Sequence, residues 1–126
     1  MASTPAFAAT PRLGVALLSV ANTNRDGSGN IETVLAAGSA GARLERIVIA
    51  ARGTTTAGMV RLFVHNGTTA YLWREVPVGA ATPSGSVQAF REELALEDMV
   101  LPNGHSLRAA THNAEGFNVI AFGGDF

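Results

Sequence analysis

The chain has 126 residues, 47% of them hydrophobic, with 14 glycines and no cysteine. That is enough for one domain with a real core, and it rules out disulfides, thiolate zinc sites, Fe–S clusters and thiol nucleophiles. Nine basic residues stand against ten acidic ones, a formal net charge of -1, so no electropositive field draws in nucleic acid or an anionic membrane.

Residues 1–11 hold Pro5 and Pro11 and small polar and alanine residues around one aromatic, Phe7. This composition builds no core and reads as an extended N-terminal arm, either a plain tail or one that docks on a neighbouring subunit through Phe7. The apolar run that follows, Gly14-Val15-Ala16-Leu17-Leu18-Ser19-Val20, is far short of the roughly 20 residues a membrane helix needs. It has only Arg12 upstream and no small-residue cleavage site at the right distance, so it makes a poor secretion signal. The expectation is a protein kept, or assembled, in the cytoplasm.

Residues 12–126 read as a single all-β domain. Candidate strands cover residues 15–21, 31–37, 43–51, 59–65, 70–78, 87–92, 94–101, 106–112 and 117–122. They are cut by turn signals such as Asp26-Gly27, Asn66-Gly67, Pro83-Ser84-Gly85 and Asn103-Gly104. Such short connections join antiparallel neighbours, which predicts an antiparallel β-sandwich or barrel. Asn66-Gly67 is the clearest hairpin signal, because a type I′ turn needs two residues that tolerate positive φ. Residues 87–99, with Glu92, Glu93, Glu97 and Asp98, would accept a short helix, but Leu94, Leu96 and Val100 fit period two and favour a strand.

Strict alternation assigns faces. Val60, Leu62 and Val64 share one face, opposite Arg61, Phe63 and His65. In residues 43–51, Leu44, Val48 and Ala50 oppose Arg43, Glu45, Ile47 and Ile49, so neither face is cleanly polar. That pattern predicts a strand covered on both sides, by a neighbouring copy or by the sandwich itself. Tyr71 and Trp73 alternate on one face, with Leu72 and Val76 on the other. They are either core or an exposed aromatic pair that contacts a protein or a sugar ring.

No catalytic or metal constellation stands out. His65, His105 and His112 lack the i, i+4 spacing of a helical metal pair, and no Gly-x-Ser-x-Gly nucleophile turn occurs. The loop beginning at Asn22 places oxygen-bearing side chains at its first, third and fifth positions and Gly27 at its sixth, as a calcium loop does. Its twelfth position is Thr33 where a bidentate Glu is required, so a polar loop is the reading. Asn66-Gly67-Thr68 matches a glycosylation sequon but is explained by the turn, and the closing Gly123-Gly124-Asp125-Phe126 lacks the Glu of the cyclase signature it resembles. All nine basic residues are Arg, a bias that fits a GC-rich genome and also contact surfaces. The residues predict a non-catalytic protein without cofactor.

Residues 47–63, 71–78 (Tyr71-Leu72-Trp73-Arg74-Glu75-Val76-Pro77-Val78), 101–109 (Leu101-Pro102-Asn103-Gly104-His105 onward) and 112–121 resemble small virion proteins of tailed bacteriophages. The similarity runs from about Asn22 onward and is a pattern of strands and turns without motif-defined functional residues. The resemblance implies a head decoration or cement-like protein on a jelly-roll sandwich. Such a protein would form a trimer and bind the major capsid protein on the outside of the shell. It would be assembled in the host cytoplasm and carried on the virion surface. Capsid decoration is preferred to a tail or fibre component and to a carbohydrate-binding module. Phe7, Tyr71 and Trp73 are the candidate contact residues.

Overall fold

The computed structural model describes residues 10–126. It is all-β, with no helix among the described residues. The strands are β1 (Thr10–Leu18), β2 (Glu32–Ala36), β3 (Ala42–Ala51), β4 (Gly58–His65), β5 (Ala70–Val78), β6 (Arg91–Leu101), β7 (Ser106–Thr111) and β8 (Phe117–Asp125). They form two four-stranded antiparallel sheets, ordered β1-β8-β3-β6 and β2-β7-β4-β5. The core lies between them, built on Leu44, Ile47 and Ile49 of β3, Val60 and Leu62 of β4, Leu107 of β7 and Val119 of β8, all fully sealed from solvent.

Two expected strands merge. Residues 87–90 lie outside β6 because Ser84 draws the chain into a turn: its Oγ accepts from the backbone N–H of Ser86 and Val87, as turn-forming serines do. Thr10 and Pro11, assigned to the arm by composition, belong to β1, where Pro11 lies opposite Gly124. Proline is tolerated there because β1 is an edge strand.

The faces of β3 differ from strict alternation. Glu45 is an extra residue between Leu44 and Arg46, which pair with the consecutive Gly123 and Phe122 of β8. This bulge reverses the alternation behind it, so Leu44, Ile47 and Ile49 all point into the core while Arg46 and Val48 point outward. Much of the two-sided apolar look of this strand is a product of the bulge. By contrast β4 is covered on both faces: Val60 and Leu62 pack in the core, and Arg61 and Phe63 are buried on the opposite side.

The β1–β2 connection provides part of that cover. Asn22 N–H donates to the Thr111 carbonyl at the end of β7, and Gly27 runs so close to the Ala70 carbonyl of β5 that a Cβ could not fit. The loop therefore passes across the outer side of the second sheet from β7 to β5.

Candidate contact surfaces and a buried arginine

Arg61 is the largest fully buried side chain. Its Nε donates to Glu75 Oε2 at 2.9 Å, and Nη1 points at the Asn22 carbonyl at 3.4 Å. Nη1 and Nη2 both lie 3.2 Å from Nδ1 of His112. A guanidinium can only donate, so Nδ1 accepts and His112 carries its proton on Nε2. The same Glu75 oxygen accepts from Arg25 Nε at 2.8 Å. These arginines, Arg25 foremost, hold the Glu75 carboxyl below its ordinary range against the opposing effect of burial. Arg25 sits in the loop, Arg61 on β4 and Glu75 on β5, so the cluster fastens the loop to the sheet. Its groups satisfy one another, which marks it as structural, although Glu75 also lines a small cleft with Arg74, Val76, Glu92 and Leu94.

The remaining polar candidates are spent on turns. Asn22, 5% exposed, donates through Nδ2 to the carbonyls of Ser28 and Asn30 and accepts at Oδ1 from Asn24 N–H. The calcium-like loop is thus organised by its own side chains. Asp26 Oδ1 accepts from the backbone and hydroxyl of Ser28, which hold its carboxyl low. Asn66 Oδ1 accepts from Thr68 and Thr69, and His65 Nδ1 accepts from Gly67 N–H. Among the described residues no group of three or more His, Cys, Asp or Glu side chains could hold a metal ion, and no helix is long and apolar enough to cross a membrane.

Of the three sequence-derived contact residues, Phe7 lies outside the described residues. Tyr71 and Trp73 lie on the edge strand β5 and are 56% and 38% exposed, so neither is core. They do not form a regular pair on one face. The register against β4 shifts between Leu62 and Phe63, which pair with Arg74 and Leu72 and leave Trp73 without an opposite residue. The Arg74 guanidinium lies 5.9 Å from the Trp73 ring.

A second exposed patch escaped the sequence reading. On edge strand β1, Leu13, Val15 and Leu17 point outward and stand about half in solvent, while Gly14, Ala16 and Leu18 point inward. Large residues face out and mostly small ones face in because β2 presses against β1: a Cβ on Gly14 would collide with the Val34 carbonyl. The signal was present in the alternation Leu13-x-Val15-x-Leu17, which pattern alone does not orient toward core or solvent. The patch continues onto β8, where Phe122 pairs with Leu13 and Ile120 with Val15. An open groove of about 640 Å³ lies beside it, lined by Leu13, Phe122, Arg12, Arg46 and Glu45 among others. Arg46 stacks over Phe122 at 4.1 Å and pairs with Glu93 at 3.1 Å. No protein-family model matches the chain, no curated protein does, and no solved structure does.

Proposed function

We propose that this chain is a non-catalytic structural protein of a tailed-bacteriophage virion. On this reading it self-associates, with a trimer favoured, and binds the major capsid protein on the outside of the shell as a decoration or cement protein. It assembles in the host cytoplasm and ends on the virion surface. The observation that supports this most is the placement of exposed apolar side chains at two edges of the sandwich, β1 and β5. Contiguous exposed apolar patches mark interaction surfaces, and a protein that works by assembly needs such surfaces more than it needs a pocket.

The strand orders support a jelly-roll reading, since both sheets interleave early and late strands as two wound Greek keys do. The segment ahead of β1 is read as an arm that carries Phe7 to a neighbour. The test is co-sedimentation of the purified protein with DNA-free shells assembled from the major capsid protein of the same phage. Saturable binding with a fixed copy number per capsomer supports the proposal. Protein left in the supernatant at micromolar concentration overturns it.

The exposure of Tyr71 and Trp73 favours a second reading, a carbohydrate-binding module in which the rings stack on a sugar. Glycan-array binding that Trp73→Ala abolishes without loss of folding would support it, and a blank array would remove it.

A further inference from the structure

The two apolar patches lie at opposite edges of the molecule. β1 adjoins β2 on one side, whereas Arg74 and Val76 of β5 share a small cleft with Glu92 and Leu94 of β6 on the other. A symmetric contact between two β1 edges would leave the β5 aromatics in water, and a β5–β5 contact would leave the β1 stripe exposed. A head-to-tail contact covers both patches with one interface, and repetition of that contact closes a ring when the rotation allows.

The charges sort the same way. In the groove beside β1, Arg12 is paired with Asp125 at 2.9 Å and Arg46 with Glu93 at 3.1 Å. Both cations of the groove are therefore neutralised within the protomer. Glu45, carried outward at the bulge of β3, is exposed. The groove thus offers Leu13 and the part of Phe122 that Arg46 does not cover, beside an acid. The β5 edge offers the complement, an exposed indole with a guanidinium next to it. Such an Arg–Trp pair presents a flat apolar face and free N–H donors together.

Resting on the self-association reading, we propose that the occupant of the β1 groove is a second copy of this chain. Trp73 of one protomer seats against Leu13 and Phe122 of the next, and Arg74 pairs with Glu45.

Trp73 is the only tryptophan, so its emission reports on this contact alone. The experiment compares size-exclusion chromatography with light scattering, and tryptophan emission, for the full chain at micromolar concentration. Wild type is expected to be oligomeric with blue-shifted emission. Leu13→Asp is expected to give monomers whose emission moves to that of a solvated indole, although Leu13 and Trp73 sit on different sheets at opposite edges. Glu45→Arg and Arg74→Glu should each weaken association at least tenfold, and the double variant should recover it. Monomeric Leu13→Asp with unchanged emission would overturn the head-to-tail contact and leave self-association standing. A monomeric wild type would overturn both. Should Leu13→Asp fail to fold by circular dichroism, the charge-reversal series, made at exposed positions, decides: single variants that associate like wild type refute the contact.

Discussion

Arg61 and Glu75 meet across the β4–β5 pair on the side of the sheet that faces away from the core, Nε to Oε2 at 2.9 Å, with Arg61 1% exposed. The pair fixes a loop over a strand that would otherwise present Arg61 and Phe63 to water. Glu75→Gln leaves the buried guanidinium without its counter-charge, whereas Arg25→Gln leaves Glu75 still paired with Arg61. We expect Glu75→Gln to lower Tm more than Arg25→Gln, and thermal denaturation of both variants at pH 7 checks the order.

The same carboxylate predicts acid sensitivity. Its folded-state pKa lies below the ordinary 4.5, first because of the Arg25 hydrogen bond and then that of Arg61. The stabilisation is present in full above that value and is lost as the pH falls through the lower, folded value. Urea midpoints measured from pH 6 down to pH 3 should decline below about pH 4.5, and the decline should shrink in Glu75→Gln.

His65 gives a second, separate titration. Burial, and then the nearby charges of Arg108 and His105, hold its pKa below 6.5, and its Nδ1 accepts from Gly67 N–H. Protonation is disfavoured in the folded state, so stability from this group is present above pH 6.5 and is lost as the pH drops through the lower folded value. An NMR titration should place the His65 midpoint below that of a histidine in an unfolded peptide.

At Gly14 the two sheets approach each other closely. Gly14→Ala drives a Cβ into the Val34 carbonyl and should cost about 1–3 kcal/mol through overpacking. Leu62→Ala, in the sealed core, should cost about 2–5 kcal/mol. Val15→Thr, on the exposed face of β1, should stay within about 0.5 kcal/mol for unfolding of the isolated protomer. Urea denaturation of the three variants tests this ranking.

The parts of the fold that depend on neighbours in sequence were legible. Asn66-Gly67 marked the β4–β5 hairpin, although the tight turn is centred on Gly67-Thr68: Asn66 N–H donates to the Thr69 carbonyl, and Gly67 adopts φ of 96°, which a side chain resists. Short apolar runs between such turns gave the all-β class and most strands. The bulges at Glu45 and Trp73 were not legible, since each is defined by the partner strand, and strict alternation then misassigned the faces of Ile47, Val48 and Tyr71. The burial of Arg61 was not legible either, because its partners Asn22 and Glu75 lie 39 and 14 positions away. The β1 patch was not legible because its outward orientation depends on the close approach of β2 at Gly14.

The most direct test of the account is the mass of the purified chain in solution, measured by light scattering across the micromolar range. We expect a closed oligomer, with three copies the expected number, that dissociates when Leu13 or Trp73 is replaced by a charged residue. A particle of one chain mass at every concentration, with Leu13, Val15 and Trp73 all open to solvent, would contradict it.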